Sequence, residues 1–166
     1  GKVLQRRPDG SIEWLLMDVL ANLGGQESTS LFITPKAARS PAVKHPVVVR
    51  EKGAVVTLTN GVTEVVLSRE GGSLIRRLVV NGRALVTEDM LVDLQVADGG
   101  GKIHRASLSG RYKITVTHRN PLRTEVTVAG KHAARDKATF LDFALRFTLT
   151  ANSPDLKLEH TFYCRE

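Results

Sequence analysis

Apolar and polar residues alternate with a period of two along most of the chain after residue 47. The pattern is clearest in RYKITVTHR (111–119), RTEVTVAGKH (123–132), ATFLDFALRFTLTA (138–151) and DLKLEHTFYC (155–164). This period puts successive side chains on opposite faces of an extended strand. It predicts one apolar strand face, in the core or at an interface, made of Phe140, Phe143, Leu145, Phe147 and Leu149.

Turn signals separate these runs at short intervals. Asn60-Gly61 stands between two alternating runs and predicts a hairpin with a type I′ turn, because both residues tolerate positive φ. Gly71-Gly72, Asn81-Gly82 and Asn120-Pro121 predict further turns. Many short strands at this spacing predict an all-β, antiparallel fold, either a sandwich or a barrel.

The N-terminal part of the chain has a different character. RPDGSIEWLLMDVLANL (7–23) predicts a turn and then a strand, although WLLMDVLANLGG (14–25) could also form a short helix that ends at Gly24-Gly25. We expect its single tryptophan, Trp14, to be buried. Residues 34–46 contain three prolines and no periodicity, which predicts a linker. We therefore predict two regions, 1–46 and 47–166.

Composition excludes several classes of protein. The hydrophobic content of 42% and the charged content of 25% are typical of a globular protein. No apolar run approaches the roughly 20 residues that span a bilayer, and the first ten residues lack the apolar core of a signal peptide. A single cysteine, Cys164, cannot form an internal disulfide, and the five histidines show no metal-ligand spacing. We predict neither a metal nor a cofactor.

Positive charge is concentrated in one part of the sequence. Residues 101–135 hold eight basic residues against Glu125 alone, so this window accounts for the net charge of +7. A concentrated positive surface attracts polyanions, while the alternative is an ordinary solvated face. The window has one aromatic residue, Tyr112, so specific nucleic-acid binding, which needs stacking platforms, is not favoured. Acidic sugars suit it better, because arginine and histidine can offset a uronate charge. Strand alternation nevertheless puts Arg111 and Lys113 on one face and Tyr112 on the other.

Four segments, in this order, resemble exo-rhamnogalacturonan lyase-like proteins. Residues 7–23 resemble a strand late in the N-terminal RIFT-type barrel domain of that family, and residues 53–86 resemble the start of the β-sandwich domain that follows. The third segment, 119–132, matches at Asn120, Pro121, Arg123, Gly130 and His132. The fourth, 141–162, matches at Arg146, Ser153, Pro154, His160, Thr161 and Phe162.

The resemblance implies an antiparallel β-sandwich preceded by a short, incomplete barrel-like segment. It implies a non-catalytic portion of a polysaccharide lyase-like protein, because the acid/base residues of the family are expected in a helical toroid that this chain lacks. Its partners would be an acidic, pectin-type polysaccharide and missing domains of the same polypeptide, in a secreted or periplasmic setting. The residues expected to contact such a glycan are Arg111, Arg119, Arg123 and His132.

Two other interpretations stay open at this point. A β-domain separated from its neighbours could pair with other copies of itself at exposed sheet edges. Alternatively, the chain could be a free-standing enzyme.

Overall fold

The computed structural model describes residues 1–21, 23–25, 27–32 and 42–164. Contacts divide the chain into two compact units, Gly1–Val43 and Lys44–Glu166. Most of the predicted linker, 34–46, lies outside the described residues.

The first unit contains one antiparallel hairpin, formed by β1 (Lys2–Arg6) and β2 (Ile12–Leu16). Its turn is the predicted one: the Gly10 amide donates to the Arg7 carbonyl, and Gly10 has φ +85°. The prediction that Trp14 is buried is wrong, because its side chain is 61% exposed. Two strands alone have no second layer to cover an indole ring.

The second unit contains two antiparallel sheets. Sheet I is a five-stranded meander whose strands follow chain order: β3 (Val48–Lys52), β4 (Val55–Thr59), β5 (Thr63–Ser68), β6 (Ile75–Val80) and β7 (Arg83–Val86). Sheet II has six strands: β8 (Gln95–Ala97), β9 (Ile103–Arg105), β10 (Lys113–Arg119), β11 (Arg123–Ala133), β12 (Thr139–Thr150) and β13 (Leu156–Tyr163). A single 3-10 turn, Ala106–Leu108, follows β9. The predicted all-β antiparallel sandwich is confirmed.

Sheet II is built around its two longest strands. β12 pairs with β13 on one side and with β11 on the other, and β11 pairs along its first part with β10 and at Ala133 with Arg105 of β9. β8 then pairs with β9. β11 therefore has two different neighbours along one side, which brings the basic residues of β9 and β10 to the same strand.

The core lies between the inner faces of the two sheets. Val56, Leu58, Val65 and Leu67 of sheet I are fully buried. On β12 the predicted apolar face is confirmed for four side chains, since Phe143, Leu145, Phe147 and Leu149 are at most 6% exposed. Phe140 differs: it is 43% exposed and its ring lies against the buried His104, with 5.1 Å between centroids.

The hairpin turns follow the sequence with one correction. Asn81-Gly82 forms the two-residue turn between β6 and β7, and both residues have positive φ, 51° and 75°. The β4–β5 hairpin is also confirmed, but its predicted type I′ turn is wrong, because Asn60 does not have positive φ. Its side chain instead accepts hydrogen bonds from the Val62 and Thr63 amides and shapes a longer turn.

Candidate functional site

Two shallow grooves lined by basic side chains follow one another along β11 and the residues after it. The first, of about 560 Å³, is lined by Lys102, Ile103, Arg105, Leu108, Ala134, Arg135 and Asp136. The second, of about 350 Å³, is lined by Ser109, Arg111, Lys113, Ala129, Gly130, Lys131 and Asp142. We call the six basic residues among them the basic face: Lys102, Arg105, Arg111, Lys113, Lys131 and Arg135.

Strand pairing explains why these cations lie together. Lys113 at the start of β10 is opposite Ala129 of β11, and Arg105 at the end of β9 is opposite Ala133. Lys131 lies on β11 between those two positions. Residues from three strands thereby border one short stretch of β11.

Most of these cations form no ion pair with a described residue, although Asp142 lies opposite Lys131 in the second groove. Lys102 is paired, since its Nζ lies 2.6 Å from Oδ2 of Asp136. The hydrogen bond from Lys102, together with one from the Ala138 amide, lowers the pKa of Asp136. No ion pair within the described part of the chain involves the other five members of the basic face, namely Arg105, Arg111, Lys113, Lys131 and Arg135.

The three arginines predicted from the sequence are not brought together. Arg111 is exposed and belongs to the basic face. Arg119 lies eight positions further on, about 26 Å away at roughly 3.3 Å per residue. It is adjacent to Arg123, because it pairs with Thr124 across the β10–β11 ladder.

Arg119 and Arg123 are both compensated by glutamates. Nη2 of Arg119 lies 3.3 Å from Oε1 of Glu51 on β3, and Arg69 shares that carboxylate at 2.6 Å. Nη1 of Arg123 lies 2.6 Å from Oε1 of Glu125. Glycan contact by these arginines stays a prediction, and the structure offers more uncompensated charge around Arg111 than around the other two.

The fourth predicted residue, His132, lies in the core and has no exposed surface. Its ring packs against Phe143 and Phe162, at centroid distances of 5.0 and 6.3 Å. Nδ1 lies 3.2 Å from the Leu141 carbonyl oxygen and donates to it, while Nε2 has no hydrogen-bond partner among the described residues. Burial lowers the pKa of His132, and the bond to Leu141 partly opposes this effect. Direct ligand contact by His132 stays a prediction that this burial does not favour.

A polar network near His132 was not anticipated from the sequence. The Ser107 hydroxyl and amide both donate to the Asp93 carboxylate, at 2.6 and 2.9 Å. The Tyr112 hydroxyl donates to the Gly72 carbonyl at 2.9 Å, and burial, followed by the charge of Asp93, raises the Tyr112 pKa. A phenol with a raised pKa that already donates to a carbonyl has a structural role, since it ties sheet II to the β5–β6 connection.

The buried His104 pairs with Asp98, whose side chain is partly exposed. Its Nε2 lies 3.0 Å from Oδ2 of Asp98, and hydrogen bonds from His104 and from the Lys102 amide lower the Asp98 pKa. This pair anchors the β8–β9 hairpin beside the basic face. Among the described residues, no three histidine, cysteine or acidic side chains form a group that could hold a metal ion.

The fold and its surface define a two-sheet antiparallel β-sandwich domain with a basic face on one sheet. A family model described as the PcRGLX-like protein central beta sandwich domain matches residues 47–165, and the chain belongs to this family. The resemblance to the central domain of exo-rhamnogalacturonan lyase-like proteins is thereby confirmed. A search of curated proteins finds no match. Among the described residues there is no helix with the length and apolar character needed to span a membrane.

Proposed function

We propose that this sandwich is a non-catalytic domain that contacts an acidic, pectin-type polysaccharide through the basic face and braces a catalytic domain of the same protein. The observation that carries the glycan contact is a set of five cations around one stretch of β11 that form no ion pair with any residue the structure describes. The family match, which is to a central domain, supports the bracing role.

The arrangement suits a polymer better than a small anion. Residues 129–133 of β11 extend over about 13 Å at roughly 3.3 Å per residue, and basic side chains border both ends of this stretch. A polyuronate carries one carboxylate on each of many sugar units, so several cations can be satisfied at once. Each contact would be weak and screened by salt, and affinity would come from their number.

A binding titration with matched variants tests the glycan contact. Polygalacturonate and rhamnogalacturonan would be titrated by calorimetry at low salt, with a neutral polysaccharide as a reference. The test variant is Arg105→Ser/Lys131→Ser, and the control is Arg76→Ser/Arg83→Ser on sheet I. Both variants remove two exposed or partly exposed cations, so net charge changes equally.

We expect binding to acidic polymers only, weakening steeply with salt, lost in the test variant and retained in the control. Equal losses in the two variants would mean that only net charge matters, which contradicts a site on the basic face. Absence of binding to both acidic polymers at low salt would overturn the glycan contact.

The bracing role and the location have their own tests. We expect the complete reading frame to encode a helical toroid after the sandwich, and deletion of the sandwich to lower the melting temperature of that toroid. An unchanged melting temperature would contradict bracing. We further propose a secreted or periplasmic location, which cell fractionation checks.

A further inference from the structure

The edges of the two sheets differ in how well they are protected against pairing with another chain. An edge strand is safest when it is short or carries charged residues. In sheet I, β7 has four residues, and β3 ends in Arg50, Glu51 and Lys52. In sheet II, β8 has three residues, and β10 carries Lys113 and Arg119.

β13 is the longest of these edge strands, and its two charged residues, Lys157 and Glu159, have opposite signs. It has eight residues and, within the described chain, pairs only with β12. Leu158 is 49% exposed, Phe162 52% and Tyr163 51%. Leu158 and Phe162 lie opposite Phe147 and Phe143 of β12, so they stand on the core side of sheet II. The longest edge strand of the sandwich therefore carries exposed apolar side chains.

The charges of β13 are self-complementary. Lys157 and Glu159 flank Leu158 on the opposite face of the strand, and they carry opposite charges two positions apart. Within one copy, Nζ of Lys157 lies 3.2 Å from Oε1 of Glu159, and Nη1 of Arg146 lies 3.6 Å from Oε2 of Glu159. The Lys157 side chain is nevertheless 67% exposed and that of Glu159 42%, so both can also meet the opposite charge of a second copy. In an antiparallel pair of identical strands, a two-fold axis at Leu158 puts each lysine opposite the glutamate of the other copy.

We propose that β13 pairs antiparallel with β13 of a second copy, about a two-fold axis through Leu158 and perpendicular to the sheet. Lys157 then lies opposite the partner's Glu159, and Leu158 lies opposite the partner's Leu158. The axis keeps the core faces of both sandwiches on the same side of the joined sheet. This proposal is independent of glycan binding.

The charges of β13 favour this register over those with the axis one or two residues further along the strand. An axis at Glu159 would put the two Glu159 side chains opposite each other, and like charges in that position are destabilising. An axis at His160 would put Glu159 opposite the partner's Thr161 and Lys157 opposite the partner's Tyr163, which pairs no charges. Among these three axes, only the one at Leu158 forms two ion pairs by symmetry. An axis at Leu156 would also put Asp155 opposite the partner's Lys157, but Asp155 lies before β13, and that axis would leave most of β13 opposite residues outside the strand.

A charge swap tests the register. Sedimentation equilibrium over a range of concentrations at low salt should show the full chain dimerising. Lys157→Glu puts like charges opposite each other twice, and we expect about tenfold weaker dimerisation. The double variant Lys157→Glu/Glu159→Lys recreates both ion pairs in the same register and should restore it, while Arg83→Glu on β7 should have no effect. A monomer at every concentration, or a double variant no tighter than the single one, would overturn the proposal.

Cross-linking gives a second, independent readout. Opposite residues of an antiparallel pair have Cα atoms about 4.5–5.5 Å apart, within the range that a disulfide bridges. In a Cys164→Ser background, Leu158→Cys should form an interchain disulfide under mild oxidation. Thr161→Cys, which lies opposite the partner's Asp155, should not. Equal cross-linking at the two positions, or none at Leu158→Cys, would contradict the register.

Discussion

Asn60 links the two sheets by hydrogen bonds, and we expect its substitution to destabilise the sandwich. Its side chain is only 2% exposed and makes four hydrogen bonds. Two are local, accepted by Oδ1 from the Val62 and Thr63 amides at 3.0 and 2.8 Å. Two are long-range, donated by Nδ2 to the carbonyls of Thr150 and Ser153 at 2.8 and 2.7 Å. The long-range pair joins the β4–β5 turn of sheet I to the β12–β13 turn of sheet II.

Asn60→Ala removes all four bonds. At about 1 kcal/mol net for a protein hydrogen bond, and more where a buried group loses its partner, we expect a loss of about 3–4 kcal/mol in the free energy of unfolding. That loss corresponds to a fall in melting temperature of roughly 10 °C or more for a domain of this size. Urea unfolding followed by circular dichroism measures it. Tryptophan fluorescence would not, because Trp14 lies in the N-terminal unit.

Asn60→Asp is the matched control. A carboxylate of the same shape can still accept from the Val62 and Thr63 amides, but it cannot donate to Thr150 or Ser153 and brings negative charge against two carbonyl oxygens. If the cross-sheet bonds stabilise the domain, the aspartate variant at pH 7 loses at least as much as the alanine variant. An aspartate variant within about 0.5 kcal/mol of the wild type, below the net value of one hydrogen bond, would refute this reasoning.

Two further predictions concern close packing and pH. A Cβ at Gly71 would lie 2.7 Å from the Gly110 carbonyl oxygen, so Gly71→Ala should destabilise the domain by about 2 kcal/mol, whereas Gly99→Ala, with open space around it, should be neutral by urea unfolding. Burial lowers the pKa of His132 and of His160, so on acidification the unfolded state binds protons before the folded state does. The free energy of unfolding should therefore be highest above about pH 6.5, the ordinary pKa of histidine, and should fall as the pH drops through the lowered pKa values of the folded state. His132→Asn keeps a donor for the Leu141 carbonyl but does not titrate, and should flatten the melting-temperature profile between pH 7.5 and 5; an unchanged slope would contradict this assignment.

The strand pattern was readable from the sequence because a period of two needs only local information. Alternation along β12 predicted its buried face from Phe143 to Leu149, and burial confirms it. The Asn81-Gly82 turn was equally local, since both residues readily adopt the positive φ that a two-residue hairpin requires.

Asn60-Gly61 has the same chemistry as Asn81-Gly82 but forms a different turn. The difference comes from tertiary contacts: the Asn60 amide donates to two carbonyls that lie 90 or more residues away in sequence. A dipeptide carries no information about such partners. Trp14 shows the reverse situation, in which an apolar residue is exposed because the described residues of its unit form a single hairpin, which has no second layer to cover the ring.

The basic face, too, was predictable from the sequence only in part. The sequence by itself determined that residues 101–135 carry the whole positive excess and that strands would alternate, because composition and periodicity are properties of neighbouring residues. Only the tertiary structure decided which cations form ion pairs. Arg119 pairs with Glu51, which it shares with Arg69, and Arg123 pairs with Glu125. Pairing of β11 with both β9 and β10 gathers five cations that form no ion pair with a described residue, although Asp142 lies opposite one of them, Lys131: Arg105, Arg111, Lys113, Lys131 and Arg135. Electrostatic compensation depends on distances across strands, and those distances are set only when the sheets assemble.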